Sequence, residues 1–150
     1  MSTDDLSPDP GALQAFVREG RRRARAGELE AAVRAFVAAA EGFRRLDRPR
    51  AALAASSSGL AAVEDPRLAL EAAEACLGLD RPDEAIRYLE AARRSARDPA
   101  RLEPILRRLI GLDPDHVEAL AQLGRLALDQ GRRAFGDKCL RLARALEAPA

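Results

Sequence analysis

The sequence predicts an all-α protein built from about eight antiparallel helices. Two observations lead to this class. The apolar residues are mainly Ala and Leu, the best helix formers, while Val, Ile, Thr and Tyr are sparse. Apolar residues also recur three and four positions apart in successive segments that short breaks separate. The chain has 150 residues, of which 47% are hydrophobic and 33% are charged, so one domain with a buried core and a solvated surface is expected.

The breaks between segments contain the residue types that start and stop helices. An Asp before a Pro favours a helix start, because the carboxylate accepts from free N–H groups and Pro has none to leave unpaired. Such pairs are Asp65-Pro66, Asp98-Pro99 and Asp113-Pro114, and Arg48-Pro49 and Arg81-Pro82 mark two further starts. Gly27 and Gly131 each separate two segments and are predicted to end helices.

These signals predict a tail and eight helices. Residues 1–9 hold Ser, Asp and Pro without apolar periodicity, and we expect a flexible tail there. The helical domain is expected over residues 10–150. The predicted helices are 11–26, 29–46, 50–63, 66–79, 83–96, 99–111, 115–130 and 133–147.

The segments repeat with a period near 34 residues. The large residues of alternate helices are Phe16, Leu53, Ile86 and Leu120, with separations of 37, 33 and 34 residues. Small residues recur in phase with them, where two helices of a hairpin would approach closely: Gly20 with Ala32, and Gly124 with Gly136.

This spacing resembles the tetratricopeptide repeat, with four tandem repeats at about 13–46, 50–82, 83–116 and 117–150. The middle two are degenerate, because Ser57 and Glu90 replace the expected Gly and Leu102 replaces the expected Ala. The resemblance implies four helix-turn-helix hairpins stacked as a right-handed α-solenoid. A related helical repeat is the structural alternative.

By the same resemblance, the expected function is a non-enzymatic protein–protein interaction module, an adaptor or scaffold. The first helices of the repeats would line a concave groove. The expected partner-binding residues are Arg18, Arg21, Arg25, Arg87, Tyr88, Arg94, Gln122 and Arg125. Because cations outnumber anions on these helix faces, we expect a protein or peptide partner that is acidic. The second repeat would contribute a floor of small residues.

Two alternatives to this groove remain. The arginines could form an ordinary solvated face, with pairs such as Glu19–Arg23 and Glu90–Arg94 four residues apart. The function could instead be that of a dedicated chaperone for one secreted or membrane-destined substrate. The Lys- and Asn-based carboxylate clamp of the co-chaperone tetratricopeptide proteins is not expected, because the chain has no Asn and one Lys, Lys138.

The last helix predicts a further docking surface. Leu142 and Leu146 lie near the end of the repeat array, and solenoids need a polar cap on their last repeat. We therefore expect these leucines either to dock a partner or a second copy, giving an assembly subunit or homo-oligomer, or to pack inward.

The residues give no catalytic or cofactor site, and the sequence predicts neither an enzyme nor a bound metal. His116 is expected on the surface in the first turn of a helix, without a visible nucleophile. Cys76 is expected to be buried and Cys139 to be partly exposed.

Composition also bears on partners and location. A net charge of +1 and 3% aromatic residues argue against nucleic-acid binding. No apolar run is long enough to insert into a membrane, and the N-terminus has no signal-like apolar region, so a cytoplasmic protein is expected. The abundance of Ala and Arg suggests a bacterial source.

Overall fold

The computed structural model describes residues 8–149, and these form eight α-helices and no strands. The helices are α1 (Pro10–Arg25), α2 (Leu29–Arg45), α3 (Pro49–Ala62), α4 (Pro66–Gly78), α5 (Pro82–Ser95), α6 (Pro99–Leu112), α7 (Val117–Asp129) and α8 (Arg133–Glu147). The predicted all-α class with eight helices is confirmed. Residues 1–7 of the predicted tail lie outside the described residues. None of the helices within 8–149 is both long and apolar enough to cross a membrane.

Four of the helix ends share one turn. Gly27 and Gly131 adopt a left-handed backbone with φ of 77°, as expected for helix stops, and Asp47 and Asp80 adopt it with φ of 55° and 57°. In each turn the next residue donates its backbone N–H to a carbonyl five residues earlier, at 2.9 Å. This bond satisfies a carbonyl that the helix end would otherwise leave unpaired.

Most of the predicted helix starts are correct, and one is wrong. The Asp65 and Asp98 carboxylates accept backbone N–H bonds from Arg67 and Ala100, as predicted for capping residues. Asp113-Pro114 does not start a helix. The cap of α7 is His116, whose Nδ1 accepts from the backbone N–H of Ala119 at 3.1 Å.

The position of His116 also corrects the prediction of a surface residue. Its side chain is only 9% exposed and lies at the N-cap, before the first turn of α7. The imidazole nitrogen accepts a hydrogen bond from a backbone N–H, as the side-chain oxygen of a Ser, Thr, Asp or Asn cap usually does. His116 therefore has a structural role at this helix end.

The helices form two compact units, one ending at Ser95 and the other beginning at Ala96. In the first unit, α2 and α4 supply the centre of the core. Fully buried Phe36, Phe43 and Leu68 pack there with alanines of both helices and with Leu13 of α1. The second unit buries Ile105, Leu106 and Leu109 of α6 together with Leu120, Leu123 and Ala127 of α7.

The first and last hairpins are closely packed at glycines. A Cβ on Gly20 would lie 2.8 Å from the Phe36 ring, so α1 and α2 can approach this closely only at a glycine. In the last hairpin, a Cβ on Gly124 would lie 3.0 Å from the carbonyl oxygen of Gly136 and 2.8 Å from Leu140. The small residues predicted to set the helix spacing therefore do so in both units.

The large residue predicted for the first repeat is not buried. Phe16 is 43% exposed, whereas Leu13 and Val17 of the same helix are buried. Side chains three and four positions apart share a helix face, and the face of α1 that meets α2 is the one that holds Leu13, Val17 and Gly20. Phe16 lies outside that set of residues, so the sequence register placed it wrongly.

The boundary between the units falls within the predicted third repeat. Its first helix, α5, packs on α4 in the first unit, and its second helix, α6, packs on α7 in the second. Glu90 and Leu102, which stand where the other hairpins have small residues, lie on either side of this boundary. The degeneracy of the middle repeats thus coincides with a division of the chain.

Candidate functional site

The first unit has a shallow surface channel between α1 and α3, which we call the α1–α3 groove. One depression, of about 80 Å³, is lined by Gln14, Val17, Arg21, Phe43, Ala51, Ala54, Ala55 and Ser58. A neighbouring depression of about 350 Å³ is lined by Arg21, Ala24, Arg25, Ser58, Ala61 and Ala62. Because Arg21 and Ser58 line both, the two depressions adjoin. The expected floor of small residues is present.

Arginine side chains supply the charge of this groove. The Arg21 guanidinium donates from Nη2 to Ser58 Oγ at 3.2 Å, which links α1 to α3 across the floor. Arg18 and Arg25 are exposed, and neither makes an ion pair within residues 8–149. Arg25 lines the groove, whereas Arg18 does not. The groove therefore presents cationic groups without a carboxylate in its lining.

The acidic residue of α1 is engaged elsewhere. Glu19 accepts hydrogen bonds from Arg22 at 2.7 Å and Arg23 at 2.8 Å, and these two guanidiniums lower the pKa of its carboxyl to about 2. The predicted Glu19–Arg23 pair is thus confirmed, but it involves different arginines from those that line the groove. Glu19 therefore does not neutralise the positive charges of Arg21 and Arg25.

The three consecutive serines of α3 differ in what they contact. Ser56 is fully buried, and its hydroxyl donates to the Ala52 carbonyl at 2.9 Å. Ser57, predicted at the close-packing position, is instead half-buried with its Oγ 3.5 Å from the Tyr88 hydroxyl of α5. Ser58 faces the groove. The close approach in this repeat is instead made at Gly59, where a Cβ would lie 3.0 Å from Leu68 of α4, so the register is offset from the sequence prediction.

The predicted residues of α5 lie around a second depression of the first unit. Arg87 and Tyr88 line it together with Glu84 and Ala91, in a volume of about 450 Å³. Arg94 is largely exposed and lies 3.9 Å from Glu90, the pair expected for a solvated face. Because Glu84 also lines this depression, its lining has no clear excess of positive charge.

The two remaining predicted groove residues belong to the second unit. Arg125 is exposed on α7, and Gln122 is half-buried on the same helix. The structure therefore brings together Arg21 and Arg25, and separately Arg87 and Tyr88.

A carboxylate inside the first unit is buried against an arginine. Glu71 of α4 accepts two hydrogen bonds from Arg44 of α2, at 2.9 and 3.2 Å, and only a tenth of its side chain is exposed. Burial raises the pKa of Glu71 even though Arg44 opposes the shift. This pair fastens α2 to α4, away from the α1–α3 groove.

The second unit contains a groove of different chemistry, which we call the α6–α8 groove. Helices α6 and α8 each pack on α7, and within the described residues their backbones do not approach one another closely. Leu120 and Leu123 of α7 line the space between them. Its volume is about 350 Å³, and its other lining residues are Arg107, Ile110, Gly111, Phe135, Lys138, Cys139 and Leu142.

Cations border this apolar groove. The guanidinium carbons of Arg107 and Arg132 lie 5.0 and 5.5 Å from the centre of the Phe135 ring. Glu103 accepts from Arg132 at 2.7 Å and from Arg107 at 3.1 Å, and both bonds lower the pKa of its carboxyl, that to Arg132 most. No local sequence signal identifies this cluster, because its members come from α6, the α7–α8 turn and α8.

Two sequence predictions concern residues of this groove. Cys139 was expected to be partly exposed but is buried, with 6% of its surface accessible, and burial raises the pKa of its thiol. Leu142 and Leu146 are 46% and 36% exposed, so neither packs fully inward. Only Leu142 lines the groove.

Comparison with known proteins gives structural likeness alone. No family model matches the chain, and no curated protein matches it by sequence. A crystal structure of MamA is 14% identical with a TM-score of 0.39, over 85% of this chain and 94% of that one. Pseudomonas aeruginosa pilF is 14% identical with a TM-score of 0.40, over 93% and 78% of the two chains. The structure of MamA from residue 41 to its end, from Desulfovibrio magneticus RS-1, is 17% identical with a TM-score of 0.36. The match covers 93% of this chain and 76% of that one. At such low scores, nothing about a partner follows.

Proposed function

We propose that the chain is a protein-interaction module whose first unit binds an acidic, extended segment of a partner in the α1–α3 groove. The observation that carries this proposal is the lining of that groove. Arg21 and Arg25 stand beside a floor made of alanines and Ser58, with no carboxylate among the lining residues. Guanidinium groups bind carboxylates through paired hydrogen bonds.

The floor supports an extended segment with small side chains. Ala51, Ala54 and Ala61 leave room for a backbone to approach α3, whereas larger residues would fill the shallow depressions. The hydroxyl of Ser58 can accept from a partner N–H as well as from Arg21. Aspartates alternating with alanines would place carboxylates near the arginines and methyl groups on the floor.

The chemistry of the groove lining is suited to an adaptor or scaffold. The groove lining contains no pair of side chains that could act as nucleophile and base. Its residues recognise charge and shape, which is sufficient for holding a partner.

Binding of a synthetic peptide tests the proposal. The probe is a fluorescent twelve-residue peptide of alternating Asp and Ala, compared with an Asn–Ala peptide of the same length. The doubly substituted R21E/R25E chain should bind the Asp–Ala peptide about tenfold or more weakly than the wild type, because two attractive charges become repulsive.

The matched control is R34E/R45E, which changes two exposed arginines of α2 and alters the net charge equally. Its affinity should stay within about twofold of the wild type, because neither residue lines the groove. If both double variants lose affinity equally, the attraction comes from overall charge and the groove is not the site. If the Asn–Ala peptide binds as well as Asp–Ala, carboxylate recognition is excluded.

A further inference from the structure

The α6–α8 groove has an apolar interior that remains open to solvent at one wall. Leu120 and Leu123 of α7 form its floor, and Ile110 and Leu142 stand on opposite sides. Leu142 is nearly half exposed, although an apolar side chain gains free energy when it leaves water. A volume of about 350 Å³ lies within the roughly 300–1,000 Å³ range of ligand pockets.

The charges at the edge of this groove are unbalanced. Arg107 and Arg132 share a single carboxylate, that of Glu103, through the same oxygen atom, Oε1. Lys138, a third cation, lines the groove and makes no ion pair within the described residues. Three positive charges thus face one negative charge beside an apolar floor.

This cationic edge is held in position. Both guanidiniums lie over the same Phe135 ring, and their shared bond to Glu103 fixes the spacing between them. Cations over an aromatic ring are attracted to its face, so the groups are ordered before any ligand arrives. Preorganised groups lose less entropy on binding.

We infer that the α6–α8 groove binds an amphipathic helix of a partner protein, one that presents large apolar side chains with carboxylates within one turn. The apolar side chains contact chiefly Leu142 and Ile110, above the nearly buried floor leucines, and the carboxylates face Lys138 and Arg107. A partner of opposite charge is indicated because the groove edge carries excess positive charge. This surface lies wholly in the second unit and shares no residue with the α1–α3 groove.

The arrangement of the walls favours a helix as the occupant. Helices α6 and α8 both pack on α7 while their backbones stay apart, which leaves a channel between two helices above a third. Side chains of a helix laid in such a channel interdigitate with those of its neighbours. Residues 96–149 form helices only and offer no strand edge for an extended peptide to join.

Three fluorescent peptides separate the apolar contribution from the charged one. The first is a sixteen-residue amphipathic helix with leucines on one face and glutamates flanking them. In the second, lysines replace the glutamates, and in the third, serines replace the leucines. The first peptide should bind at least about tenfold more tightly than either of the others, because each lacks one of the two matched features.

Two pairs of variants of the full chain locate the binding. Leu142→Ser should weaken binding of the first peptide about tenfold, whereas Leu146→Ser, an exposed leucine one turn away, should change it less than about twofold. Lys138→Glu should weaken it about fivefold, and the control Arg144→Glu, on the same helix, should not. All four positions are exposed, so the variants are expected to fold, and circular dichroism verifies this.

The proposal is overturned if the lysine peptide binds as tightly as the glutamate peptide, or if Leu146→Ser weakens binding as much as Leu142→Ser. Sedimentation velocity supplies a third decisive result. If the chain alone forms a dimer that Leu142→Ser dissociates, and the first peptide does not bind, then a second copy occupies the groove. In that case the partner-helix proposal is wrong.

Discussion

The α1–α3 groove and the α6–α8 groove arise from the same kind of helix hairpin but differ in what covers the floor. In the first, alanines and a serine of α3 make a shallow surface beside arginines. In the second, buried leucines of α7 form the floor between two helices whose backbones stay apart, and half-exposed Leu142 lies at its edge. Under the two proposals, the size of the floor side chains decides whether charge or apolar contact dominates recognition.

The shape of both grooves depends on how closely their supporting helices pack. A groove keeps its shape only where glycines let the supporting helices approach, as Gly20 does in the first unit and Gly124 in the second. Substitution at these glycines should therefore disturb one groove without the other.

The largest effect is expected at Gly124. Gly124→Ala places a Cβ 3.0 Å from the Gly136 carbonyl oxygen and 2.8 Å from Leu140, so α8 must shift. We expect the free energy of unfolding of the second unit to fall by about 1–3 kcal/mol. Urea denaturation followed by circular dichroism measures this change.

Gly111→Ala is the matched control, because nothing lies within 4 Å of its Cβ position in α6. An alanine there should stabilise the helix by about 0.5–1 kcal/mol. Equal destabilisation by the two substitutions would show that the close approach of α7 and α8 is not what holds the second unit. Binding of Asp–Ala peptide in the first unit should be unchanged in both variants.

A second effect distinguishes the two grooves by their response to salt. Raising NaCl from about 50 to 500 mM should weaken Asp–Ala peptide binding about tenfold, because exposed charges are screened. Binding of the leucine–glutamate helix should weaken only about threefold, since part of its free energy comes from apolar contact. Fluorescence anisotropy titrations at both salt concentrations make the comparison. Equal salt dependence would contradict a difference in chemistry between the grooves.

A smaller effect concerns the turns that the units share. Gly27→Ala should reduce the free energy of unfolding by about 1 kcal/mol, since a left-handed backbone costs a side chain that amount. Gly27→Asp should cost less, because Asp47 and Asp80 already adopt this conformation in the same kind of turn. At Gly131 we likewise expect the substitution to Ala to reduce stability more than the substitution to Asp. Thermal denaturation of the four variants tests it, and a larger loss with Asp than with Ala at either site would refute the shared turn.

The smallest effect concerns pH and Glu71. Its folded pKa is raised by burial, so the folded state binds this proton more tightly than the unfolded state does. The contribution of Glu71 to the stability of the wild type therefore increases as the pH falls through its folded-state pKa. Below its unfolded-state pKa the contribution no longer changes with pH. Glu71→Gln removes this titration.

The measurement is the unfolding free energy of wild type minus that of Glu71→Gln, from urea denaturation between about pH 7 and pH 4. Because other carboxylates titrate in both proteins, the difference isolates Glu71. We expect it to shift in favour of the wild type on acidification. A shift in favour of the variant would mean that pairing with Arg44 outweighs burial.

Local features of this fold were predictable from the sequence because their causes are local. The carboxylates of Asp65 and Asp98 cap the helices that follow them, and Gly27 and Gly131 end helices, as their residue types indicate. Sequence signals that depend on register were less reliable. The phase inferred from glycine spacing placed Phe16 inward and Ser57 at a close contact, and both positions are wrong.

The two grooves show the same limit. The position of Arg21 and Arg25 beside this depression could be predicted, because a repeat pattern indicates which face of α1 points towards α3. The α6–α8 groove could not be predicted as a whole, because Arg107 of α6 comes near Phe135 and Leu142 of α8 only when both helices pack on α7. Among its lining residues, the sequence singles out only Leu142 as part of a docking surface. The structure adds that the Leu142 side chain is exposed. It does not identify the partner that would cover it.

The most direct test of the account is a cross-comparison of two variants with two peptides by fluorescence anisotropy. R21E/R25E changes only the α1–α3 groove, and K138E with Leu142→Ser changes only the α6–α8 groove. We predict that the first variant loses the Asp–Ala peptide and keeps the leucine–glutamate helix, and that the second does the reverse. If both variants lose the same peptide, the chain does not hold two separate binding surfaces, and the account is contradicted.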